Sequence, residues 1–587
     1  MKNKITLLSL SSLLVLGIAS CGNNTNIADL VVFSPMYTAE NVNDYEAEAF
    51  AVKNGKYIYV GDKEGANKFI KEGVTKVINN DNGLVIPGCT EGHAHYFDGT
   101  GLNNQLAGCG ESYDEVLNTL EKEYKNKGIT QFVTVGWTTT SLIERRKAHH
   151  NFADEIESKA PGIPVVLIDN AGHAAVCSRT ALNKAGITKE NPYVRGGAID
   201  LLTDGTPTGY IGDQAVFYMV DKTISKPLND EQYKKACNYA QNELLRYGYT
   251  NTVDAFTNMY DPTGLYDAIK KMDERNELKI NVAECYNIKS FDSEIYKTKV
   301  DEVVDISKKY SSRHCFPSYI KLFADGVVES GTGWISHSYK SYQPGKEHGN
   351  IIWEKPELNS IVTYANSKGL TVHTHSFGDA ACTAMIDSYL TSNMLNGTQF
   401  RNSIDHVRNI KTEDIIRCAN NKIPVAANLI WHYDYSDKHE DTKAIREMIM
   451  NNIGEDYYNA GYPMKSLVEK GVIVSSSTDA PAAMEIEGSI VNVIEIATTG
   501  KDFNSDADPF AVEELLNVKQ TLKALTIDGA WLIGLENERG SIKVGKYADF
   551  VVLDTNFLNY QGKELETIHN AKVMNTYFEG EKVYEAK

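Results

Sequence analysis

Short apolar runs bounded by glycine and polar residues alternate along the chain with segments whose apolar positions recur at helical spacing. Leu84-Val85-Ile86-Pro87-Gly88 leads into Glu91-Gly92-His93-Ala94-His95 and predicts one buried strand ending at His95. Further runs predict strands at 131–137, 163–169, 249–255, 278–285, 318–324, 370–376, 403–407, 423–429 and 471–478. Ser112-x-x-Glu115 is a capping box that opens a helix to about Lys127-Gly128. Tyr233, Cys237, Ala240 and Leu244 share one helical face, and Gly248 follows as a stop. Strands alternating with helices are the mark of βα units and a parallel sheet.

The central part carries ten candidate strands, two more than a closed eight-stranded barrel needs. The pair at 131–137 and 163–169 is assigned to an insertion of about residues 110–225, which continues through the loop-rich stretches Gly196–Asp200 and Asp204–Gly209. Both chain ends are β-rich. Leu30–Phe33 precedes a hairpin over 49–60 that turns at Asn54-Gly55. Ala548–Leu553 precedes a second hairpin, Met574–Tyr584, that turns near Glu579-Gly580. A lone hairpin is marginal in water. The expectation is therefore one β-sandwich built from residues 28–86 and 540–587, beside a barrel over 87–539.

The first residues stand outside this plan. Lys2 and Lys4 precede a mostly apolar stretch, Ile5 to Ile18, and Ala19-Ser20-Cys21 closes it with small residues. A cysteine there resembles a bacterial lipobox, which implies cleavage after residue 20 and lipidation of Cys21. The polar stretch at 21–27 then reads as a tether. The expected location is the bacterial cell envelope, with the membrane reached through the lipid. A formal net charge of −19 argues against nucleic acid as a partner. The other cysteines form no C-x-x-C pair, so a zinc ribbon or thioredoxin-like motif is not expected.

Candidate chemistry falls at the ends of the predicted barrel strands. His93 and His95 are two apart, so on a strand they project side by side and can share a metal. Val372-His373-Thr374-His375, Ile404-Asp405-His406 and Val474–Asp479 each end an apolar run with ligand types. Lys321 lies inside the run Tyr319–Ala324, where an ammonium is costly to bury. A neutral amine there can take up carbon dioxide as a carbamate. An outward-facing Lys321, or one paired with Asp325, is the alternative. Active sites of βα barrels lie at the C-terminal ends of the strands.

The ordered set VIPGCTEGHAH, VVLIDNAGHAAVCSRTAL, GGAIDLLTDGTPTGYI, YIKLFADG, VHTHSFGDAA, IDHV, SSSTDAP and GSIKVGKYADFVVLD resembles the amidohydrolase superfamily. The branch is amidohydrolase family 3, which includes N-substituted formamide deformylases, and the likeness runs from about Leu30 to Tyr584. It implies an α/β fold, a (β/α)8 TIM-like barrel. It also implies a first metal on His93, His95 and Asp479, and a second on His375 and His406, with carboxylated Lys321 bridging them. His373 is then a neighbour, and His173 faces the substrate. The implied cofactor is divalent metal, two zinc ions in the fullest form, with the carbamate drawn from carbon dioxide.

This chain departs from the branch at Glu91-Gly92, where Asp-Ser is usual. It also carries Asp405 for Glu, Thr478 for Ser, and Asn428-Leu429 for Gln-Pro. None of these removes a ligand. The implied reaction is hydrolysis of a non-peptide C–N bond in a small molecule, an amide or an N-formyl or N-acyl amine. A metal-activated hydroxide attacks, Asp479 moves the proton, and His173 helps stabilise the oxyanion. An ester, lactone or cyclic-amide hydrolase on the same centre is an alternative. So is a catalytically silent lipid-anchored binding protein. A homodimer is compatible with all three.

Overall fold

In a computed structural model of the chain, the run leading to His95 is two strands instead of one. Leu84–Pro87 pairs antiparallel with Phe550–Leu553, and Cys89–Ala94 belongs to another sheet. Gly88 makes the break, since a Cβ there would lie 2.2 Å from Thr250 Oγ1. The expectation of a single strand fails because the run is apolar throughout, so its periodicity does not say which sheet each half joins. The structure describes residues 27–40, 47–342, 345–434, 440–481, 488–503 and 507–587. The signal segment, Cys21 and nearly all of the tether lie outside the described residues.

Eight strands form one sheet in chain order. They are β1 (Cys89–Ala94), β2 (Tyr249–Asp254), β3 (Asn281–Asn287) and β4 (Cys315–Phe323), then β5 (Thr371–Ser376), β6 (Ser403–His406), β7 (Val425–Ala427) and β8 (Val474–Ser476). Every ladder between them is parallel. The sheet closes just past β8, where the Asp479 N–H donates to the His93 carbonyl at 2.9 Å and the His95 N–H donates to the Ala480 carbonyl at 2.6 Å. Gly92 permits this approach, because a Cβ on it would sit 2.4 Å from Ser475 Oγ. The result is a (β/α)8 barrel.

The two surplus strands fall in the insertion, as expected. Phe132–Val135, Val165–Ile168, Ala174–Cys177, Gly197–Leu201 and Pro207–Asp213 form a separate five-stranded sheet between β1 and β2. Tyr113, Phe152, Val165, Leu167 and Tyr210 pack beside it in a core of their own.

The chain ends supply two four-stranded sheets. Phe50, Tyr57 and Val85 pack against Ile542, Phe550 and Tyr577 in one buried cluster. The two hairpin turns also meet. Asn54 and Gly55 have φ 50° and 75°, and Glu579 and Gly580 have φ 50° and 75°. A Cβ on Gly55 would lie 2.8 Å from the Glu579 carbonyl oxygen. The Ala548 N–H donates to the Gly55 carbonyl, and the Gly580 N–H donates to the Ala548 carbonyl. Among the described residues, no helix is long and apolar enough to cross a membrane.

Candidate metal centre

His93 lies one residue before the end of β1 and is almost fully buried. Its Nε2 is 3.4 Å from Asp479 Oδ1, and His95 Nε2 is 3.3 Å from the same oxygen. The side-by-side projection of the two imidazoles is therefore realised, with ring centroids 5.6 Å apart. His406, at the end of β6, lies 4.6 Å from His93 and 4.4 Å from His375 between ring centroids. Ligand atoms of His93, His406 and Asp479 all fall within 4.8 Å of one another.

Lys321 points inward and is 1% exposed, so the outward alternative is excluded. Its Nζ is 3.2 Å from His93 Nε2 and 3.4 Å from Asp405 Oδ2. Asp325 is not its partner. That carboxylate instead accepts the N–H groups of Phe377, Gly378 and Trp334 at 2.8–2.9 Å, which holds the loops after β4 and β5 together. Burial pushes the Asp325 carboxyl up to about 7, against the pull of those donors. His373 joins His93 and Asp405 in a second group whose ligand atoms lie within 4.8 Å of one another. Its Nε2 is 2.8 Å from His93 Nδ1, and its Nδ1 is 2.5 Å from Ser403 Oγ and 3.2 Å from Asp405 Oδ1.

His93, His406 and Asp479 fit a divalent metal, while His375 Nε2 lies 3.0 Å from the Gly326 carbonyl oxygen, which leaves its Nδ1 as the donor. An imidazole ligates only when its donor nitrogen is unprotonated, and burial holds His93, His375 and His406 well below the usual histidine range. His406 Nδ1 is taken by Asn428 Oδ1 at 2.9 Å, while its Nε2 is buried without a hydrogen-bond partner. A buried imidazole nitrogen left in this state is what a metal ligand looks like before its ion is considered. His95 differs. Burial works against its charge, but Asp98 and Asp479 outweigh burial and raise it to about 9.

The insertion reaches over this centre. His173 lies in the turn between Val165–Ile168 and Ala174–Cys177. Asp169 closes that turn by accepting from the Ala174 N–H at 2.9 Å and from Thr139 Oγ1 at 2.6 Å. The His173 ring stands 5.9 Å from His375 and 6.4 Å from Phe323. A cavity of about 770 Å³, counted with its open mouth, lies between the ligands and an apolar wall that includes Val135, Ile168, Phe217, Phe256 and Phe323. His173 lines it.

Several working residues were missed by sequence reasoning. Asp98 Oδ2 lies 3.2 Å from His95 Nδ1, and Asp254, at the end of β2, accepts the Phe97 and Asp98 N–H groups at 3.0 and 2.9 Å. Asp213 Oδ1 lies 3.1 Å from His173 Nδ1. An acidic residue ending an apolar run is the one signal for Asp254, and nothing local marks the others. The departures are absorbed. Glu91 accepts the Thr478 N–H at 2.9 Å and the His93 N–H at 3.3 Å, so it braces the closure of the barrel. Asn428 does for His406 what a histidine ligand requires of its neighbour.

Barrel, strand-end ligands and covered cavity together define a metal-dependent hydrolase of the amidohydrolase type. Residues 76–584 match the Amidohydrolase family, and the chain belongs to it. It is 22% identical over 554 residues to the "Putative amidohydrolase YtcJ" of Bacillus subtilis, covering 94% of this chain and 98% of that one. It is 21% identical over 571 residues to the "N-substituted formamide deformylase" of Arthrobacter pascens, covering 96% and 99%. Among solved structures, an uncharacterized metal-dependent hydrolase from Pyrococcus horikoshii superposes with a TM-score of 0.68 at 20% identity, covering 90% of this chain and 98% of that chain.

Proposed function

We propose that the protein hydrolyses the C–N bond of an N-formyl or N-acyl amine with an apolar substituent. The observation that carries this is the convergence of His93, His95, His375, His406 and Asp479 on one cavity that apolar side chains also line. Similarity over nearly the whole chain to a formamide deformylase supports the same reading. His93, His95 and Asp479 are the proposed ligands of one zinc ion, and His375 and His406 those of a second, with carboxylated Lys321 between them. Zinc bound there lowers the pKa of water and polarises the substrate carbonyl.

The remaining work falls to the chain. Asp479 holds the proton released by the attacking water and hands it to the leaving nitrogen. His173, which lines the cavity beside His375, steadies the charge that develops on the carbonyl oxygen. The insertion lines one side of the cavity through Asn170, Ala171, Gly172 and His173, and a substrate that displaces water there strengthens every charge interaction inside. The apolar wall takes the substituent.

The test is turnover of a panel of N-formyl and N-acyl amines by protein of measured metal content, with esters and lactones alongside. Amine release that a chelator abolishes and added metal restores is the expected result. Turnover confined to esters or lactones overturns the C–N assignment. Full metal occupancy without turnover of any panel member favours a binding protein.

A further inference from the structure

His173 and Asp213 continue the antiparallel ladder between Ala174–Cys177 and Pro207–Asp213. Gly212 pairs with Ala174, and one step on, the Asp213 N–H donates to the His173 carbonyl at 2.8 Å. The Asp213 carboxylate then turns back onto the ring, with Oδ1 3.1 Å from His173 Nδ1.

Two features of Asp213 are unusual for a residue that ends a strand and opens a helix. It occupies the N-cap of the helix Gln214–Thr223, where an aspartate ordinarily accepts an N–H of the first turn. Its side chain makes no such bond. Its backbone also sits at φ 49° and ψ −127°, a region that a Cβ disfavours and that is ordinarily left to glycine. A glycine would relieve that strain, and an extended Asp would cap the helix. The residue present does neither. Backbone strain of this kind persists where the surroundings over-determine it, and it collects at functional sites. Here it delivers a carboxylate to His173.

We propose that Asp213 is a positioning residue for the hydrolysis put forward above: it turns Nδ1 of His173 to itself and so aims Nε2 into the cavity. Among the described residues, Nε2 has no hydrogen-bond partner, and the ring lines the cavity beside His375. A carboxylate accepts only, so it keeps a hydrogen on Nδ1 and fixes which nitrogen is which. The carboxylate is itself buried at the foot of its helix.

The experiment compares Asp213→Asn, Asp213→Gly, His173→Gln and the double variant Asp213→Asn/His173→Gln in the metal-loaded full chain. The best substrate of the N-formyl and N-acyl amine panel is the probe. Asp213→Asn is expected to lower kcat about 10- to 100-fold, the usual cost of losing a carboxylate behind a working histidine, with KM and metal content little changed. The same change is expected to have almost no effect once His173 is Gln. Asp213→Gly is expected to raise the melting temperature by relieving the backbone, while losing the same activity.

In protein labelled with 15N-histidine, the signal lost in His173→Gln identifies His173. Its Nδ1 is expected to carry hydrogen in the parent chain and to lose that fixed state in Asp213→Asn. Equal loss of kcat with and without His173 overturns the proposal, as does an Asp213→Gly chain of parental activity. If the panel yields no substrate, the functional reading fails, and the 15N spectra alone then decide the arrangement. An unchanged His173 signal in Asp213→Asn overturns it.

Discussion

The main-chain N–H of Asp479 donates to the carbonyl of His93 at 2.9 Å. The first and last ligand-bearing strand ends are thereby locked together at the seam of the barrel. Their side chains meet as well, with His93 Nε2 3.4 Å from Asp479 Oδ1. The proposed metal site and the barrel closure therefore share one set of contacts, with Glu91 and Gly92 beside them.

Gly92→Val tests this coupling. A Cβ at residue 92 would lie 2.4 Å from Ser475 Oγ and 2.7 Å from the Ser476 carbonyl oxygen. The larger side chain must push β1 from β8, and His93 and Asp479 move apart with it. The expected outcome is a folded barrel with substoichiometric metal, read by elemental analysis beside circular dichroism. Parental metal content in this variant contradicts a seam shared by closure and ligation.

Lys321→Ala is expected to cut activity at least ~100-fold and to remove one metal of the proposed pair, because the proposed bridge between the two sites is lost. Acetate or propionate is expected to restore part of both by filling the vacated space with a carboxylate. Lys321→Arg should not rescue, since a guanidinium is a cation and cannot ligate. One metal per chain in the parent protein at saturating metal and bicarbonate, with a bare amine in electron density, refutes the bridge.

His314 offers a pH test away from the metal centre. Burial opposes its charge, but Asp273 and Glu579 overcome burial and raise its pKa. A raised histidine contributes stability in full below its unfolded value and loses it as pH climbs through the folded value. Glu579 works in the opposite sense. Burial raises it, His314 and Arg539 outweigh burial, and the net effect is a fall to about 2. Its contribution is present above the ordinary carboxylate range and fades as pH drops toward 2. The network is therefore most stabilising between the usual carboxylate and histidine values. Urea midpoints should fall from pH 6 to pH 9 more steeply in the parent than in His314→Gln, and parallel pH curves for the two chains would refute the linkage.

Gly55→Val examines whether the chain ends fold as one unit. It places a branched side chain at φ 75° and drives its Cβ onto the Glu579 carbonyl oxygen 2.8 Å away. The cost is about 2 kcal/mol from the left-handed backbone and the clash together. Hydrogen exchange should quicken at Val573–Phe578 as well as in the mutated hairpin. Unchanged protection across Val573–Phe578 means that the two sheets are energetically separate.

Cys21→Ser tests the lipid anchor. Membrane affinity grows with each buried methylene of an attached chain. The variant should leave the membrane fraction of bacteria that make it, whereas the parent stays. A processed Cys21→Ser chain that still sediments with membranes argues against anchoring at this residue.

Much of this protein is local enough to be legible in the sequence. Apolar runs such as 318–324 and 370–376 declare barrel strands, and ligand types cluster at their ends because that is where a parallel barrel presents side chains to substrate. Asn54-Gly55 and Glu579-Gly580 announce their turns through residues that tolerate positive φ. Periodicity also separates the insertion from the barrel by simple surplus of strands.

The tertiary structure alone decided the rest. The run from Leu84 to Ala94 belongs to two sheets because its first half pairs with Phe550–Leu553 and its second with Tyr249–Asp254, both far along the chain. Asn428 meets His406, Glu91 meets Thr478, and Asp213 turns from its own helix to His173. Each is a polar side chain whose local setting suggests nothing special, and Asp213 even occupies a capping position. Their partners are chosen by how strands close and loops pack, which carries no period in the sequence. Local pattern determined which elements form and which residues could ligate. Long-range packing determined which buried donors and acceptors had to find each other, because an unpaired one is too costly to leave inside.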